Sequence, residues 1–271
     1  SNIIKNNTNN GLAFNRHGTR SYNNTYRNNV ITGNGGYGID LPWGNVTGGV
    51  KNNLIEENII YNNANGLRIG TGPSGSSSEY PTKLSTVRKN LIIKNTGYAI
   101  STYETYTNET LKIENNIIQG AANQLVELKD EKGSIVSKNT FIHDYADGSS
   151  NSYPALAFSD GYQDEDSKSN TVTYNTFIFY SRNGLELFYG GNTFNNNNFI
   201  HKNSSSDESG IYTVKILGDD NNNFENNYWG TTNESEIQSA IYDYTDDFEL
   251  GAVDYDPYLT TPNTDAPISP P

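Results

Sequence analysis

Charged residues sit at the centre of short apolar-x-apolar runs: Asp40 in Ile39-Asp40-Leu41, Arg68 in Leu67-Arg68-Ile69, Glu127 in Val126-Glu127-Leu128 and Glu186 in Leu185-Glu186-Leu187. Two carboxylates suit acid–base work on a glycosidic bond, one protonating the leaving oxygen while the other activates water. An arginine beside them could neutralise a uronate, and with a base such as His17 or Tyr103 that set suits β-elimination. Asp40, Arg68, Glu127, Glu186 and His17 are therefore the candidate catalytic residues. The plainer reading of each is a solvated charge on a strand face, where an exposed ion pair contributes about 0–1 kcal/mol. That plainer reading is preferred both for Asp40 with Arg68 and for Glu127 with Glu186, because charges on an outer strand face are ordinary.

A second set follows the same runs in the sequence. Arg16, Arg20, Trp43, Tyr80, Tyr103, Tyr106, Tyr162 and Tyr189 interleave aromatic rings with charges. Rings stack on the C–H faces of sugars while polar groups take the hydroxyls, so these are the candidate substrate-binding residues. Tyrosine is abundant throughout, with 20 in the chain, so any edge would carry some. Asp160, Asp164 and Asp166 offer oxygen ligands to Ca2+, although without EF-hand spacing, and a solvated acidic loop is the default. No motif requires a cofactor. The chain shows no zinc-type His or Cys cluster, no phosphate-binding glycine loop and no G-x-S-x-G elbow.

The elements that would position these residues repeat. An Asn-x-apolar unit recurs at Asn2, Asn29, Asn58, Asn90, Asn116, Asn139, Asn175, Asn197 and Asn227, at intervals of 22 to 36 residues. Two residues after each stands a large apolar side chain, from Ile4 and Ile31 to Phe199 and Trp229. The apolar-x-apolar run follows, and its period of two means strand. Short strands at such spacing, with variable loops and no helical period between them, predict about nine coils stacked on one another. The middle residues then form an outward row, Ala13, Asp40, Arg68, Ser101, Glu127, Ala157, Glu186 and Thr213. With strands about 4.8 Å apart, Glu127 and Glu186 lie two coils apart, near the separation of inverting hydrolases. The 42 asparagines read as architecture, turning the corners with left-handed torsions and bonding along the stack.

Composition narrows the function. The apolar fraction is 33% and the net charge −13, which disfavours phosphate backbones and anionic membranes, so no nucleic-acid partner is expected. No apolar run approaches the roughly 20 residues of a membrane span. Cysteine and methionine are both absent, and the repeat is under way at residue 2, which suggests an excised portion of a longer protein. The segment TTNESEIQSAIYDYTDD predicts the one helix, with Asn233 and Glu236 in capping-box spacing and Ile237, Ala240, Ile241 and Tyr244 on one face. The domain is expected to run from 1 to 259, its C-terminal cap beginning at about residue 227, with 260–271 a proline-rich linker. The N-terminal coil has no comparable cap, so flanking domains or a partner subunit are expected there.

The N-x-I and G-I/L-x-L pattern resembles the right-handed parallel β-helix repeat of pectate-lyase-like and NosD-like proteins, over nearly the whole chain. The ending NNYWG…YDPYL resembles the closing unit of β-helix proteins of microbial cell envelopes. The resemblance implies an all-β fold, a secreted or cell-surface location and a polysaccharide partner. It also implies degradation of a surface or matrix polysaccharide, as in disaggregatase-like enzymes, by hydrolase or lyase chemistry. A non-catalytic envelope, adhesion or carbohydrate-binding module is the alternative.

Overall fold

The computed structural model describes residues 1–13, 21–41, 50–70, 85–103, 110–121, 124–129, 131–144, 153–159, 168–180, 184–202 and 212–267. The chain is an all-β parallel β-helix. Its strands fall into three parallel sheets of eight, nine and nine strands, plus a two-stranded pair formed by Ser21–Tyr22 and Val50–Lys51. Each turn contributes a strand to the first sheet, then the second, then the third, so each strand pairs with its counterpart one turn away.

Six consecutive turns, from Val30–Thr32 to Thr193–Asn195, carry three strands of at least three residues each. The expected nine coils are thus corrected to about six fully formed turns, flanked by thinner ones. The strands Leu12–Ala13 and Asn222–Asn223 have two residues each. Leu12–Ala13 pairs on one side only, with Tyr37–Leu41, so fewer ladder bonds hold it extended, while Asn222–Asn223 pairs on both sides but meets Thr193–Asn195 through a single residue pair.

Alternation decides what faces in. Ile31, Ile60, Ile92, Ile118, Phe141, Phe177 and Phe199 form one fully buried column on the first sheet, joined by columns from the other two. Each such side chain contributes about 1.5–3 kcal/mol by leaving water. Phe141 stacks on Phe177 at 4.5 Å between centroids, and Phe177 on Phe199 at 5.4 Å. Trp229 closes the column, 5.1 Å from Phe199.

Asparagines hold the corners, as the sequence suggested, and they do so at three corners of the coil. From the third sheet to the first, Asn2 through Asn227 form eight unbroken links. In each link the backbone N–H and the Nδ2 both donate to Oδ1 of the next asparagine, at 2.8–3.2 Å. A second ladder joins Asn7, Asn34, Asn63 and Asn95 between the first and second sheets. A third, interrupted one includes Asn24 to Asn53 and Asn170 to Asn192. The left-handed torsion belongs to the residue before the ladder asparagine, not to the ladder asparagine itself. Asn28, Glu57, Lys89, Asn115, Lys138, Tyr174, Asn196 and Asn226 all have φ between 54 and 59°.

The outer face of the third sheet carries charges in register. Arg27, Glu56 and Arg88 align, with Glu56 3.3 Å from Arg27 and 2.8 Å from Arg88.

The C-terminal end differs from expectation in two ways. The helix is Glu234–Ser239, capped by Asn233, whose side chain accepts from the Ser235 N–H. It buries Ile237 but stops before Ile241, which joins the strand Ile241–Tyr242 on the second sheet. Tyr244 therefore leaves the helical face and is 53% exposed. The reason is the free edge of Val214–Ile216: Thr213 and Val214 donate to the Ala240 carbonyl, and pairing wins over another helical turn. The segment read as a linker is tied down as far as Pro267. Asn263 exchanges hydrogen bonds with Asn198, and Thr176 Oγ1 donates to the Pro267 carbonyl at 2.6 Å.

Candidate functional site: the outward row of the second sheet

Parallel pairing places Ala13, Asp40, Arg68, Ser101, Glu127, Ala157 and Glu186 in one row, each opposite the next. The row then continues to Lys215 and Tyr242. Thr213 is not in it. Thr213 lies two residues earlier and is buried, because the strand's apolar pair is Val214 and Ile216 rather than Tyr212 and Val214.

At one end Arg68 grips Asp40 with two parallel bonds, Nε to Oδ1 and Nη2 to Oδ2, both 2.7 Å. Asn10 Nδ2 donates to Asp40 Oδ2 at 2.6 Å, and the guanidinium lies 4.5 Å from the centroid of the Tyr37 ring. The side chains of Arg68 and Asp40 are 13% and 5% exposed. The expected contact exists, but the solvated ion pair is corrected to a buried, bidentate one. Such a pair is set in place by its geometry, and neither partner can act as an acid or base without breaking it.

In the middle stand Ser101 and Glu127. Ser101 Oγ is buried and has no hydrogen-bond partner among the described residues, and the same holds for Gln124 Oε1. The Glu127 side chain is 9% exposed and 3.4 Å from Lys129 Nζ; Ser159 Oγ donates to Glu127 Oε1 at 3.4 Å. Burial pushes the Glu127 carboxyl above the usual range, outweighing Lys129, Ser159 and Tyr98, which favour its charge. Lys129 is the more solvated partner and its field is correspondingly screened. Burial, then the negative charge of Glu127, raises the Tyr98 hydroxyl to about 12.

Beyond Glu127 comes Ala157, which is fully buried, and then half-buried Glu186. Two strand spacings put the Glu127 and Glu186 backbones about 9.6 Å apart. One carboxyl in a buried setting and another nearer solvent is an arrangement that separates acid from base. Ala157, between them in the row, has no exposed surface.

The structure brings Asp40 and Arg68 into contact and aligns Glu127 with Glu186. His17, Arg16, Arg20, Trp43, Tyr80, Tyr106 and Tyr162 lie outside the described residues, as do Asp160, Asp164 and Asp166. Tyr103 ends the strand Ile100–Tyr103, opposite Gly70. Tyr189 is half-buried, its carbonyl accepting from Asn192 Nδ2. Among the described residues no three His, Cys, Asp or Glu gather as metal ligands.

Tyr37, Tyr98, Lys129 and Lys215 were missed. The signal was available for Lys129, which stands two after Glu127 and so shares its face, whereas Tyr37 and Tyr98 stand two before the inward Ile39 and Ile100, and strict alternation would have turned them away from the row. No helix among the described residues is long and apolar enough to cross a membrane. No protein-family model, no curated protein and no solved structure matches the chain.

Proposed function

We propose that this β-helix acts on a polysaccharide of a cell surface or extracellular matrix, with the outward row of the second sheet as its site. The observation that carries this reading is Glu127, a buried carboxyl held towards its neutral form and two coils from the more solvated Glu186. In hydrolysis with inversion, the Glu127 O–H protonates the glycosidic oxygen as its bond to the anomeric carbon breaks. Glu186 takes a proton from a water that attacks that carbon from the opposite face. Glu127 ends as a carboxylate facing Lys129, Glu186 ends protonated, and solvent resets both. The resemblance to pectate-lyase-like, NosD-like and disaggregatase-like proteins supports a secreted or surface setting.

A second reading, a non-catalytic carbohydrate-binding or envelope module, is favoured by the closed Asp40–Arg68 pair and the buried Ala157. One experiment separates the two. Neutral and uronate-containing polysaccharides are incubated with the protein, with and without Ca2+, while reducing ends and the ultraviolet absorbance of unsaturated products are followed. New reducing ends without absorbance, lost by about 10²–10⁴-fold in Glu127→Gln and in Glu186→Gln, support hydrolysis by this pair. Absorbance would assign elimination instead, activity surviving in both variants would clear the row, and binding without products would leave the module.

A further inference from the structure

The outer face of the first sheet carries a strip that neither reading uses. Register aligns Ile3, Val30, Ile59, Leu91 and Ile117 in one outward row, followed by Thr140, Thr176 and Asn198. The next outward row runs Lys5, Thr32, Tyr61, Ile93 and Gln119, so its apolar centre at Tyr61 and Ile93 is flanked by polar side chains. The row changes character along its length. Thr140, Thr176 and Asn198 are buried, whereas Val30, Leu91 and Ile117 are half-buried and Ile59 is 40% exposed.

The chain's own tail occupies the buried end. Leu259 donates to the Asn227 carbonyl, Asn263 bonds with Asn198, and Thr176 reaches Pro267, so the tail descends one coil for every four residues, heading for Thr140 and the aliphatic rows beyond. Ala266 is 2% exposed on that path.

We propose that Val30, Ile59, Leu91 and Ile117, with Tyr61 and Ile93 beside them, form a docking track for a proline-rich polypeptide segment that continues the path of residues 259–267. Three arguments select that occupant. The track is continuous with an interface that a proline-containing segment already makes. The strand backbones beneath it are paired within the sheet and Val30, Ile59, Leu91 and Ile117 offer no side-chain acceptors, so an occupant lying over them must bring few N–H groups, and proline brings none. A second copy of the chain would bring another net charge of −13 against this one, which opposes close pairing.

The test uses the full chain and a labelled synthetic peptide that repeats the sequence of residues 266–271 twice, read by fluorescence anisotropy. Saturable binding is expected, weakened about tenfold (about 1.4 kcal/mol) by Ile59→Asp, less by the β-branched Ile59→Thr, and unchanged by Thr171→Ala on the third sheet. Thermal unfolding of each variant identifies any that fails to fold, and Ile59→Thr retains strand propensity if Ile59→Asp does. Absence of binding, or binding indifferent to both Ile59 variants, overturns the proposal. Concentration-dependent self-association abolished by Ile59→Asp overturns it as well, and makes a second copy the occupant.

Discussion

Asn116 donates both its backbone N–H and its Nδ2 to Oδ1 of Asn139, each at 2.9 Å, across 23 residues of sequence. The Asn116 Nδ2 also donates to the carbonyls of Val87 and Glu114. One amide thus satisfies buried backbone groups in its own coil and the preceding one while tying on to the following one. The position tolerates neither an apolar side chain nor a carboxylate, because a buried group left unbonded costs about 1–3 kcal/mol.

Asn139→Ala removes the acceptor for Asn116 and the donor for the carbonyls of Ile113 and Ser137. We expect it to destabilise the fold by about 3–5 kcal/mol, given several unsatisfied groups. Asn2→Ala, in the same ladder but at an exposed position, should cost under about 1 kcal/mol because water can reach the groups it leaves. Urea unfolding of the two variants side by side checks the gradient.

The residue before each ladder asparagine offers the opposite lever. Lys138 holds φ at 55° and is exposed, so its side chain gains little in return for the left-handed strain. Lys138→Asn should stabilise by about 0.5–1 kcal/mol, since asparagine tolerates that conformation better. A rise in the urea midpoint at unchanged slope would establish it, and a fall would show that Lys138 makes a contact worth more than the strain.

What was legible in the sequence was what repeats. Ile31, Ile60 and Phe177 fall two after an asparagine because each coil re-enters the first sheet in the same way, and that regularity exposed the fold. The coil after the last full turn shows the limit: Tyr212-Thr213-Val214 and Val214-Lys215-Ile216 are both apolar-x-apolar, and a slip of two residues preserves the alternation. Only cross-strand pairing with Leu185-Glu186-Leu187 separates them. Burial of Asp40 was illegible for another reason, since depth depends on what covers a face rather than on the strand's own pattern. The tail misled because proline and threonine spell a linker, while the amide of Asn263 and the small side chain of Ala266 are what fit the first sheet.

The Asp40–Arg68 pair should behave as a buried unit. Arg68→Ala leaves a carboxylate nearly out of water and is expected to cost about 3–5 kcal/mol. Arg68→Lys should recover only part, because an ammonium cannot reproduce the two parallel bonds. Asp40→Asn combined with Arg68→Leu should cost less than the sum of the single changes, as coupled neighbours do. Strict additivity in that cycle would mean the two side chains do not sense one another.

Glu127 makes the stability of the fold depend on pH in an unusual direction for a carboxylate. Its folded value is raised by burial, so between the unfolded value of about 4.3 and that higher one the native state holds a proton that the unfolded chain has lost. The stability it confers is complete below this window and falls as pH rises through it. Glu127→Gln should remove that slope and be no less stable than the parent at neutral pH, provided the amide keeps the contacts to Ser159 and Tyr98. The same substitution removes the charge facing Tyr98, whose hydroxyl should then ionise below its value of about 12 while staying above the ordinary 10, because burial is the larger cause. Ultraviolet titration of tyrosinate in Glu127→Gln against the parent reads this shift, with Tyr98→Phe assigning the signal. An unchanged Tyr98 titration would separate the two groups and remove Glu127 from the tyrosine edge of the row.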